Sequence, residues 1–183
     1  MKFTFFKTII LIAFLECCFF SCSSDLDFDQ VNDLNVQPVF VSNLAYINID
    51  AQDFISNGTE TPIFSYTSDV DFLSKSFVKE NLVKTELYFR IKNTINRSYA
   101  FNVTFLNKNG TPIYNIKMDI PAYNGSEVIV EKTETFTATN VSILENTAKM
   151  VFSVRMFAGP PITAATPGRI EFSSGITAYF DIR

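Results

Sequence analysis

Three thiols in this 183-residue chain could serve as nucleophiles or soft metal ligands: Cys17, Cys18 and Cys22, all near the N-terminus. No cysteine follows them and no histidine occurs anywhere. A Ser–His–Asp or Cys–His couple is therefore out of reach of the rest of the chain, as is a zinc site built from His and Cys sets. The six glycines are scattered among turns and form no phosphate-cradling loop. The formal charge is −4 without a basic run, so the electrostatic footprint of a nucleic-acid binder is missing and no nucleic-acid partner is expected. Acids such as Asp50, Asp53, Glu86 and Glu127 would have to converge to cleave a glycoside, and nothing in the pattern brings them together. Calcium is the one ion for which oxygen ligands stand close in sequence, at Asp50 with Asp53 or Asp69 with Asp71. Asp69 and Asp71 read equally as first-turn acids facing a helix dipole, so no metal or other cofactor is expected.

The context of the cysteines explains them better than redox or metal chemistry. Lys2 and Lys7 precede the apolar run Thr8–Leu15, which is too short to cross a bilayer as a helix and fits the central part of a secretory signal peptide. Such peptides end at a small residue, and of the three cysteines only Cys22 follows one, Ser21. Residues 1–21 are thus read as a signal peptide. The alternative is simple secretion with cleavage nearby.

The segment "FFSC" resembles the bacterial lipobox, with Phe19 where that pattern prefers Leu. The resemblance implies acylation of Cys22, including palmitate-type chains, and anchoring in membrane lipid. Several acyl chains, each contributing about 0.8 kcal/mol per buried CH₂, hold firmly where one alone would be marginal. Asp25, Asp27 and Asp29 follow directly. They resemble the acidic surface-export signal of Bacteroidota outer-membrane lipoproteins, interrupted here by Leu26 and Phe28. The resemblance implies an outer-membrane location, on the cell surface rather than the periplasmic face. The N-x-S/T sequons at Asn57, Asn96, Asn102, Asn124 and Asn140 are given no role, because asparagine is common in this chain.

Residues 22–37 read as an acidic, flexible tether and 38–183 as one domain. Its pattern is β. In "VKTELYFRI", Val83, Thr85, Leu87, Phe89 and Ile91 alternate with Lys84, Glu86, Tyr88 and Arg90, the period-two mark of a half-buried strand. "YAFNVTFL", "IYNIKMDI", "EVIVEKTETF", "KMVFSVRMF" and "GITAYFDIR" read likewise, with turns at "KNG" and "YNGS". "FVSNLAYINID" and "IFSYT" supply the first strands. A short helix is expected near 69–81, capped by Ser68 and carrying an apolar stripe through Phe72, Leu73 and Phe77. A helical turn over 139–146 is expected to cross between sheets. Long βα units are missing, so the fold expected is an all-β, antiparallel two-sheet sandwich of about seven to nine strands, immunoglobulin- or fibronectin-like. A lipocalin-like barrel is the runner-up, disfavoured because Phe, Ile and Met at inward positions would fill its lumen.

Fold does not give function. The reading favoured is a non-enzymatic outer-membrane lipoprotein, an accessory subunit of a membrane complex for transport, secretion or barrel assembly. The alternative is a surface module binding glycan, peptide or calcium; the absence of tryptophan speaks against sugar stacking. A protein partner in the outer membrane is expected. Its contact is placed on the Pro-rich loop 157–169, at Pro160, Pro161, Ile162 and Pro167, together with the outward Tyr179.

Overall fold

The computed structural model describes residues 35–182. Cys22, Asp25, Asp27 and Asp29 lie outside these residues. Ten strands follow in chain order: β1 (Val39–Asp50), β2 (Ile55–Ser56), β3 (Thr59–Glu60), β4 (Ile63–Asp69), β5 (Leu82–Asn93), β6 (Tyr99–Leu106), β7 (Pro112–Ile120), β8 (Val128–Phe136), β9 (Lys149–Met156) and β10 (Arg169–Phe180). Two four-stranded antiparallel sheets, ordered β1-β10-β5-β8 and β4-β9-β6-β7, pack face to face, and β2-β3 form a small separate hairpin. This is the antiparallel two-sheet sandwich expected from the pattern. Its connectivity interleaves the two sheets as two Greek keys, the jelly-roll arrangement. The immunoglobulin comparison thus holds for the architecture and not for the strand order.

Alternation builds the core. Tyr99, Phe101, Val103 and Phe105 of β6 are buried, as are Ile116, Met118 and Ile120 of β7 and Met150, Phe152, Val154 and Met156 of β9. From the opposite sheet come Leu87, Phe89 and Ile91 of β5 and Ile170, Phe172 and Ile176 of β10. The two faces interlock through Phe172, whose ring lies 4.6 Å from Phe101, 5.2 Å from Phe152 and 6.2 Å from Phe89, centroid to centroid.

Two register shifts alter the expected pattern. The β5–β10 ladder shifts between Tyr179 and Phe180, so Phe180 pairs with Leu82 while Tyr179 pairs with Lys84. Val83 is thereby left exposed and Leu82 takes the buried position. In β1 the shift lies between Asn43 and Ala45. Before it Phe40 and Ser42 pair with the inward Ala178 and Ile176; after it Ile47 and Ile49 pair with the inward Phe172 and Ile170.

The crossover between the sheets holds a 3-10 turn over Asp71–Ser74 and an α-helix over Ser76–Asn81, in agreement with the helix expected near 69–81. Ser68 does not cap it: Ser68 belongs to β4, and the residues preceding the two helical segments, Val70 and Lys75, make no side-chain cap. The helical turn Ser142–Glu145 connects β8 of one sheet to β9 of the other, as expected. The compact unit runs Val36–Ile182. It begins before Pro38 because Val36 and Ile182 exchange both backbone hydrogen bonds, at 3.0 and 2.9 Å.

Candidate functional site

The feature with the most evident binding chemistry is a cavity of about 480 Å³ at one end of the sandwich. Its floor is the end of the β10 inner face, Ile176, Ala178 and Phe180. Opposite, β4 stops at Asp69 and the chain turns into the crossover, with Ser68, Asp69 and Val70 at the cavity wall. The crossover supplies partial cover through Leu73, Phe77 and Val78. Phe180 is held edge-on by Phe40 and stacked by Phe77, each at 5.5 Å. The lining is overwhelmingly apolar, and Asp69 is its only ionisable member. Asp69 points to Lys149 at 3.5 Å, on the exposed side.

Phe40, Phe72 and Phe77 keep 57%, 45% and 48% of their surface exposed around this cavity. Single exposed apolar residues are ordinary, but three phenylalanines converging on an apolar hollow form a contiguous patch of the kind found where another molecule binds. Jelly-roll connectivity creates the hollow and the crossover sequence "DFLSKSFVKENL" furnishes its rim. The periodicity of that stretch was legible. What was not legible is that Phe72 and Phe77 would stay half in solvent, because that depends on where β4 ends against β10.

The loop from Phe157 to Arg169, expected to contact a partner, is an organised structure. Its organiser is Arg97, 5% exposed. The guanidinium Nε donates to Phe157 O at 2.9 Å, and Nη1 donates to the carbonyls of Gly159 and Pro160. Both terminal nitrogens donate to Glu60, at 3.1 and 3.2 Å, a two-pronged pairing that suits the planar fork of arginine. Gly159 is required for the approach: a Cβ there would lie 2.8 Å from Arg97 Cδ. Glu60 is delivered by the β2-β3 hairpin, whose turn residues Asn57 and Gly58 both have positive φ, 52° and 76°, as a two-residue I′ turn needs. Ile162 N donates to Glu60 Oε1 at 2.7 Å. That bond and then Arg97 hold the Glu60 carboxyl below the usual carboxylate range.

This geometry corrects part of the expected contact set. Ile162 is 6% exposed and belongs to the main core, so it fastens the loop and presents nothing outward. Pro160, Pro161 and Pro167 are exposed. Tyr179 is not part of the same surface. It sits at the far end of β10 from Arg169, where the loop ends, roughly 30 Å away at strand rise. There its hydroxyl donates to Glu86 at 3.1 Å and its ring lies 4.8 Å beneath Lys84 Nζ. It belongs to a polar ladder on the outer sheet face with Lys84–Glu86 and Tyr88–Glu131.

Two of the acids considered for calcium are otherwise occupied. Asp53 Oδ2 accepts the Asp50 amide at 2.8 Å, closing the 3-10 turn Ala51–Phe54, and Asp69 pairs with Lys149. Among the described residues no group of three or more acids, Cys or His is gathered as a metal site. Between the sheets, Tyr114 donates to Glu134 at 2.6 Å, and that bond, with burial, pushes the phenol up to about 12.

No family model matches the chain and no curated protein matches it. Among solved structures it is similar to a secreted-protein candidate from Parabacteroides distasonis, at 8% identity over 63% of this chain and 37% of that one, TM-score 0.43. It is also similar to the VP2 subviral particle of infectious bursal disease virus, at 7% identity over 78% and 32%, TM-score 0.48. A third is the Desmodium yellow mottle tymovirus, at 12% identity over 81% and 90%, TM-score 0.33. The chain spans only about a third of the length of the first two.

Proposed function

We propose that this chain is a non-enzymatic lipoprotein, anchored in the outer membrane through Cys22 and facing the cell surface, whose sandwich docks onto a membrane-protein partner as an accessory subunit. One observation carries the docking half of the proposal: the apolar cavity floored by Ile176, Ala178 and Phe180 and rimmed by the half-exposed Phe40, Phe72 and Phe77. A lining with so few polar groups favours an apolar side chain over a sugar, whose hydroxyls would lose water there without finding partners. The anchor helps weak contacts suffice, because both molecules then search within one membrane and their effective concentration rises. The contact surface in this reading moves from the Pro-rich loop to the opposite end of β10.

Two measurements test the two halves. Mass spectrometry of the mature N-terminus is expected to give a triacylated Cys22; an unmodified N-terminus at another residue contradicts the anchor. Purification of the tagged protein in mild detergent is expected to retain an outer-membrane protein in fixed ratio. Filling the cavity by Ala178→Phe is expected to release it. Isolation of the protein alone, with binding to a glycan panel instead, would overturn the docking reading.

A further inference from the structure

We infer that the partner binds as an extended strand added to the outer edge of β1, with one apolar side chain of that strand seated in the cavity. This rests on the docking reading above and names the form the partner takes. The four sheet edges are β1 and β8 in one sheet, β4 and β7 in the other. Free edges invite pairing with other chains, and folded proteins usually guard them with charge. The β8 edge carries Glu131, Lys132 and Glu134, and the β7 edge carries Lys117 and Asp119. By contrast β1 has no charged residue from Val39 to Ile49. On it Val39, Val41 and Tyr46 are 53%, 76% and 72% exposed, and among the described residues no strand pairs with its outer side.

The backbone specifies what would fit. Phe180 N donates to Pro38 O at 3.1 Å, and Phe40 pairs with Ala178 and Ser42 with Ile176. In an antiparallel ladder hydrogen-bonded pairs alternate, so the backbone groups of Phe40 and Ser42 are spent on β10. Those of Val39 and Val41 point outward, in position to bond an added strand. On that outer side Phe40 and Ser42 fall at the non-hydrogen-bonded positions, where facing Cα atoms approach to about 4.5 Å. Both residues line the cavity. A strand laid along Val39–Asn43 therefore continues the cavity floor by one strand and delivers a side chain at its mouth. The other uncharged edge strand, β4 before Asp69, belongs to the sheet that does not carry this floor. Main-chain bonds would then supply affinity and the cavity would choose the side chain, the division of labour seen in strand-addition recognition.

The test uses the detergent-solubilised full chain and a labelled, end-capped nonapeptide. The peptide alternates threonine and valine, with phenylalanine at the centre and lysine at both ends. Its binding is followed by fluorescence anisotropy. Saturable binding is expected. N-methylation of the peptide amides that face β1 is expected to weaken it roughly tenfold or more, as losing two hydrogen bonds would. Val41→Pro is expected to do the same while leaving melting unchanged, because the lost amide faces away from β10. If Val41→Pro fails to fold, the methylated peptide decides. Equal binding of the methylated peptide overturns the inference and leaves the docking reading standing, since the cavity would then grip a side chain without strand addition. No saturable binding of the unmethylated peptide also overturns it.

Discussion

Phe172→Ala is expected to destabilise the domain by about 4 kcal/mol, within the range of buried Phe-to-Ala truncations. The ring is 1% exposed and meets Phe89 of its own sheet and Phe101 and Phe152 of the facing one. Its removal costs the transfer of a large apolar group and opens a void between two sheets that cannot close on it, because strands on both sides are fixed by their ladders. Aromatic contacts beyond simple burial add to the loss. Urea unfolding followed by far-UV circular dichroism measures it. A change below about 1 kcal/mol would mean that the sheets do not interlock through Phe172. The neighbouring Phe77, 48% exposed at the cavity rim, is expected to tolerate substitution far better, since little apolar surface returns to water.

Arg97→Met is the second large effect, expected at about 3 kcal/mol, the low end of the cost of removing one member of a buried ion pair. The low end applies because the Glu60 side chain is 33% exposed and regains water when its partner goes. The carbonyls of Phe157, Gly159 and Pro160 lose their donor at the same time. Hydrogen exchange should separate this from a general loosening. The Ile162 amide, which donates to Glu60, is expected to lose protection in Arg97→Met before the β6 and β9 amides do. The pair also sets an acid limb of stability. A lowered carboxylate contributes stability that is present above its unfolded value, 4.5, and is lost as pH falls through its lower folded value. Because the Ile162 amide and Arg97 both lower this carboxyl, the limb should shrink in Arg97→Met and vanish in Glu60→Gln. Uniform exchange across the sandwich in Arg97→Met would show that the guanidinium does not organise the loop.

Much of the sandwich could be read from side-chain period alone. The inward sets of β6, β7 and β9 follow strict alternation because the β6–β9 ladder runs without a shift and the β6–β7 ladder shifts only after Phe105. Val83 fails the same rule because the shift beside Phe180 lies between strands far apart in sequence, and no local pattern encodes it. Asn57-Gly58 carried the same turn signal as Asn109-Gly110, yet its importance lies in aiming Glu60 at a residue 37 positions on. In "TINRSYA", Arg97 reads as a charge in a turn; only the meeting of the β5–β6 turn, the small hairpin and the Pro-rich loop buries it. The cavity is harder still to foresee. It is the place where one sheet outruns the other, and its residues taken singly look like ordinary core or ordinary surface. The lack of charge along Val39–Ile49 was visible from the start, but its meaning required knowing that β1 lies at an edge.

If the cavity beside β1 receives an apolar group of a membrane partner, recovery of that partner depends on the cavity's shape and polarity. The lipidated, tagged protein is purified in mild detergent alongside Ala178→Phe, which fills the cavity from its floor, and Phe77→Glu, which charges its rim. Folding of each is checked by thermal melting, and the co-purifying outer-membrane protein is quantified. A fixed ratio of partner to wild-type protein is expected, with a fall of roughly tenfold or more in both variants at unchanged folding, the scale set by losing a buried apolar anchor. Equal recovery of the partner with the cavity filled would contradict docking at the cavity.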